Sequence, residues 1–90
     1  MNLDTTFAIA TQVIARTIGG ETVILDLESG TYFGLDPVGA RIWQLLEGGK
    51  SLAQACDVMV EEYDVTRDVI ERDALTLAGQ LVASKLITVA

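Results

Sequence analysis

Between Val13 and Leu35 apolar and polar residues alternate in short runs, and from Pro37 onward apolar residues recur every three or four positions, so the chain reads as strands followed by helices. VIARTI (13–18) and TVILDLE (22–28) are rich in β-branched side chains and flank Gly19-Gly20, a pair free to take the positive φ of a tight hairpin turn. In the second run Val23, Leu25 and Leu27 share one face, while Thr22, Ile24, Asp26 and Glu28 share the other. That alternation predicts the first set in the core and the second in water. Ser29-Gly30 marks another turn, after which Thr31-Tyr32-Phe33-Gly34-Leu35 can fold back as the third strand of an antiparallel meander.

Asp36-Pro37 has the chemistry of a helix start, because the carboxylate can accept first-turn N–H groups and proline loses nothing at the first helical position. A helix is predicted over 37–47, with Val38, Ile42, Leu45 and Leu46 at helical spacing, Trp43 beside them and Gly48-Gly49 as the stop. Ser51 and Gln54 form a capping box for a second helix ending near Tyr63, whose buried stripe is Leu52, Ala55, Cys56 and Met59. Thr66 is a suitable cap for a third helix from Arg67 to about Ser84, and Leu86-Ile87-Thr88-Val89 closes the chain as a β-prone run. Residues 1–11 show no clean period and are expected to form a flexible N-terminal arm, docked on the domain or not, ahead of a single domain at 12–90. The predicted class is α+β, with a three-stranded antiparallel N-terminal sheet and three helices.

Ninety residues, half of them apolar, suffice for one small core. A domain of this size buries only about 60–65% of the surface its unfolded chain exposes, which leaves little room to enclose an active site. The 13 acidic residues outnumber the 6 basic ones, for a net charge of −7 that repels nucleic acid and anionic membrane surfaces alike. A winged-helix DNA-binding regulator is disfavoured on the same ground, since Arg67 and Arg72 at the start of the third helix are offset by Asp68, Glu71 and Asp73. No basic n-region opens the chain and no apolar run is long enough to span a membrane, so a soluble, cytoplasmic protein is expected.

Cys56 is the only cysteine and there is no histidine, which rules out a disulfide framework, a Cys/His metal site and a Cys–His catalytic pair. Glu61 and Glu62 are neighbours on a helix and diverge by about 100°, so they do not form a catalytic carboxylate pair. They read as an acidic face, and one use for it is docking a basic patch of a partner enzyme. No enzymatic activity, cofactor or metal is expected.

A binding groove is expected instead. Ile70, Ala74, Leu77, Ala78 and Leu81 already supply the apolar stripe that an outer helix needs. Leu75, Ala78, Val82 and Leu86 add a second line, with Gly79 among them despite costing about 1 kcal/mol in a helix. One reading is a central helix buried on both flanks; the other is an apolar face left for a ligand. The third strand, Thr31 to Leu35, has no lysine, proline or inward charge to protect its outer edge. Either the edge is short enough to be harmless, or it accepts an extended peptide as a further strand whose alternate side chains drop onto the helix.

The run LDLESGTYFGLDPVGARIWQLLEGG, the Ser-Leu helix start, the acidic EEYDV junction and the ending LVASKLI resemble the PqqD-like family, also called the RiPP recognition element, over roughly residues 12–89. The resemblance implies a winged helix-turn-helix that binds the leader of a ribosomally made precursor peptide on its third strand and third helix. It further implies delivery of that precursor to a separate maturation enzyme. The passage LDLESGTYFGLD lacks the proline and arginine usual in the quinone-biosynthesis branch and is closer to free-standing proteins of lasso-peptide clusters. A leader peptidase is then the expected receiving enzyme, a radical SAM enzyme the alternative. Leaders of that branch are expected to carry a Tyr-x-x-Pro-x-Leu motif, whose Tyr and Leu would use pockets lined by Tyr32 or Phe33 with Leu75, Ala78 and Val82. The unprotected edge and the N-terminal arm also leave a homodimer open.

Overall fold

The computed structural model describes residues 1–90, as β1 (Phe7–Ile9), β2 (Val13–Ile18), β3 (Glu21–Asp26), β4 (Tyr32–Leu35), α1 (Pro37–Glu47), α2 (Leu52–Glu62), α3 (Arg67–Ala83) and β5 (Ile87–Val89). The fold is α+β. An antiparallel sheet in the order β2-β3-β4 packs one face toward the helices, and a separate antiparallel pair joins β1 to β5. Gly19 and Gly20 turn the first hairpin at φ 60° and 87°, the left-handed conformation that only glycine adopts without strain. Asp36 Oδ1 accepts from the Gly39 N–H at 2.8 Å to start α1, and Ser51 and Gln54 cap α2 reciprocally. Thr66 stands at the N-cap of α3 without a side-chain cap bond.

Two expectations are corrected. On β3 it is Thr22, Ile24 and Asp26 that are buried, whereas Val23 and Leu27 are exposed and Leu25 is only half-buried. The helices cover just one face of the sheet, and the polar members of that face find partners: Thr22 Oγ1 bonds Thr17 Oγ1 at 3.1 Å, and Asp26 Oδ1 accepts from the Glu28 N–H at 3.0 Å in the turn that follows. Apolar residues therefore lie on both faces, and hydropathy alternation alone could not choose between them.

Residues 1–11, expected as a loose arm, are tied down. Phe7 is buried, and β1 pairs with β5 in the register Phe7–Val89, Ala8–Thr88, Ile9–Ile87. Ahead of it the carbonyls of Leu3 and Thr5 accept from the N–H groups of Ala53 (2.7 Å) and Leu52 (3.2 Å). Those donors belong to the first turn of α2 and have no partner within their own helix. The arm thus covers a helix end and gives β5 its only strand neighbour.

Trp43, Leu46, Leu52, Met59, Ile70, Leu81 and Ile87 form the centre of the core, in which Cys56 is fully buried. The helices are also clamped at their surfaces. Arg67 donates to Asp57 and to Glu71 (2.8 Å) and reaches the Ala53 carbonyl, joining α2 to α3. Arg41 forks onto both carboxylate oxygens of Glu62 at 2.8 and 2.7 Å, joining α1 to α2.

A candidate peptide groove between the β4 edge and helix α3

β4 is an outer strand of its sheet, and its far side has no strand partner. Beside that free edge runs an open cleft of about 510 Å³. Phe33, Gly34 and Leu35 of β4 form one bank, Val38, Gly39 and Ile42 of α1 close one end, and Asp73, Thr76, Leu77 and Gln80 of α3 form the other bank. The four α3 residues are spaced i, i+3, i+4, i+7 and so share one helix flank. Its apolar patches are Phe33, Leu35, Val38, Ile42 and Leu77; its polar rim holds Asp36, Asp73, Thr76 and Gln80, with no cation among the lining residues. Unpaired backbone groups along one wall and apolar patches beside them suit an extended peptide, which can bond through its backbone and seat alternate side chains.

Of the residues singled out from the sequence, Phe33, Gly34 and Leu35 lie in the groove, while Thr31 and Tyr32 do not line it. Tyr32 points to the opposite face of the sheet and is 77% exposed. On α3 the groove wall is a different flank from the one the sequence singles out. Ala78 is fully buried and offers no surface, and Leu75, Gly79 and Val82 are half-buried but absent from the groove wall. At about 100° per residue the buried line Ile70-Ala74-Ala78-Leu81 runs down the middle of the helix, with Leu75 and Val82 on one side and Asp73, Leu77 and Gln80 on the other. Leu77, read as core, is half-buried and faces the groove. The groove flank is the more polar of the two, so hydrophobicity could not have found it.

The remaining chemistry-bearing residues are accounted for structurally. Glu62 is engaged by Arg41, which holds its carboxyl below the usual range, leaving Glu61 as the free member of the acidic pair. Arg67 is taken up by Asp57 and Glu71, so the start of α3 presents little free positive charge. No group of three or more potential metal ligands comes together, and no helix is long and apolar enough to cross a membrane. Burial pushes the Cys56 thiol up, so it is both shielded and protonated. Iodoacetamide at mildly alkaline pH is accordingly expected to leave the native protein unmodified and to label Cys56 rapidly in denaturant; fast native labelling, read by mass spectrometry, would contradict the buried position.

The family described as "Coenzyme PQQ synthesis protein D (PqqD)" matches residues 21–87. Among solved structures, "TbiB1 in Complex with the TbiA(beta) Leader Peptide" is 42% identical with a TM-score of 0.84, covering 89% of this chain and 93% of that one. "Lasso peptide synthetase B1 complexed with the leader peptide" is 29% identical with the same TM-score of 0.84, over 91% of this chain and 96% of the other. No curated protein matches the chain.

Proposed function

The chain belongs to the PqqD family, and from that premise we propose that it binds the leader of a ribosomally synthesised precursor peptide as a fourth strand on β4, with leader side chains seated against α3. The observation that carries this reading is the free β4 edge lying directly beside an apolar-floored cleft, in a chain whose solved neighbours hold leader peptides. The protein does no chemistry itself and presents the bound precursor to a separate maturation enzyme, a lasso-peptide leader peptidase. Backbone pairing supplies sequence-independent affinity, and the patches around Phe33, Leu35 and Leu77 select side chains. An interface at or below ~1,600 Å² fits nanomolar to micromolar binding.

The test is a titration of the 15N-labelled chain with the TbiA(beta) leader peptide. Saturable amide shifts are expected at Tyr32–Leu35 and Asp73–Gln80, with Leu75 and Val82 moving less than Leu77. A folded protein whose amide spectrum does not change with added peptide would overturn the reading.

A further inference from the structure

Strand addition on β4 has a consequence for the opposite face of the sheet. The registers Ile14–Leu25–Tyr32 and Arg16–Val23–Gly34 line up residues of β2, β3 and β4 in rows on the side away from the helices. The first row is apolar and, with Arg16, Ile18 and Val23, surrounds a shallow, mainly apolar depression of about 340 Å³. Tyr32 (77%), Ile18 (71%) and Val23 (38%) are all markedly exposed. Both rows stop at the β4 edge, where a bound leader would supply the next member.

Gly34 is the second observation. It sits inside a strand, where glycine weakens pairing and leaves nothing to pack. The fold does not require it: its φ lies outside the left-handed region, and a Cβ there would meet no atom within 4 Å. Its absent side chain leaves open space on the outer face, next to Val23 in the same row.

We propose that the leader is read on both faces of the sheet, and that an apolar, preferably aromatic, leader side chain opposite Gly34 lies across the glycine onto Val23 beside Tyr32. Cross-strand neighbours stand about 5 Å apart, so a ring projecting from the added strand reaches over a residue without a side chain, as aromatic residues commonly cover glycines in sheets. In an extended peptide this residue is out of phase with those that enter the α3 groove, so specificity is divided between odd and even leader positions. The inference rests on the strand-addition reading above and extends it to a second surface.

The test uses the TbiA(beta) leader peptide in calorimetric titrations against wild type, Gly34→Val, Val23→Thr and, as a groove control, Leu77→Asp. Gly34→Val occupies that open space with a strand-favouring residue, so its thermal midpoint should equal or exceed that of wild type while its Kd rises about tenfold. Val23→Thr keeps the shape, lies a strand away from the leader backbone and should weaken binding roughly threefold through lost apolar contact. If both outer-face variants bind within about 1.5-fold of wild type while Leu77→Asp loses binding, the two-faced reading is overturned and the groove reading stands. Loss of a wild-type dimer in the Val23 variant by sedimentation, with leader affinity unchanged, would overturn it in favour of a second copy on this face. No binding of the leader to folded wild type overturns both.

Discussion

Leu77→Asp is expected to leave the domain folded and to weaken leader binding by at least about tenfold, equivalent to ~1.4 kcal/mol. Leu77 is the apolar residue that α3 contributes to the groove wall, flanked there by Asp73, Thr76 and Gln80. A carboxylate at this position would confront apolar leader atoms and would have to lose its hydration when the peptide binds. It would also stand one turn from Asp73 in a groove whose lining already includes Asp36 and no cation. Folding should tolerate the change because Leu77 is only half-buried and the helix is anchored by Ile70, Ala74, Ala78 and Leu81. The matched controls are Leu75→Asp and Val82→Asp on the other flank, which should stay within about twofold of wild-type affinity. Calorimetry with the TbiA(beta) leader, alongside circular dichroism, decides between the flanks. If Val82→Asp folds and loses binding while Leu77→Asp does not, the peptide lies on the opposite side of α3 from the groove.

The largest loss of stability is expected from Trp43→Ala. Trp43 is 2% exposed and sits in the core among residues of α1, α2 and α3. Truncating a buried aromatic to alanine typically costs 3–5 kcal/mol, out of a total of about 5–13 kcal/mol for a domain of this length. The thermal midpoint should fall by about 12 °C or more, at ~4–8 °C per kcal/mol in a domain this small. Trp43→Phe should be far milder than its volume change suggests. The indole Nε1–H is buried without an acceptor, so phenylalanine removes an unpaired donor along with the lost contacts. Because Trp43 is the only tryptophan, the measurement is urea unfolding followed by far-ultraviolet circular dichroism. A loss in Trp43→Phe as large as its removed volume alone predicts would mean that the orphan N–H carries no penalty.

These two residues also mark where sequence reasoning succeeds and where it does not. Trp43 is legible as core because Ile42, Leu45 and Leu46 surround it at helical spacing between a proline start and a glycine stop. Leu77 is legible only as apolar, since its place on α3 fits a core stripe as well as a groove wall. The free β4 edge was readable from Thr31 to Leu35, a short run joined to its neighbour by a tight turn and carrying none of the usual edge protections. The N-terminal arm was not readable, because FAI is too short to show a period and the feature that holds it is a strand some 80 residues away.

What the sequence determined by itself is everything set by local chemistry: the glycine turn, the caps at Asp36 and Ser51, the three helices, the order of the meander and the acidic balance that disfavours nucleic acid. These follow from residues within a few positions of one another, whose backbone preferences and hydrogen bonds are settled before any tertiary contact forms. The tertiary structure alone decided which face of β3 is buried, which flank of α3 borders the groove, and that residues 1–11 are part of the domain. Each of those is a choice between surfaces of similar apolarity, and it is resolved by the direction from which distant elements pack.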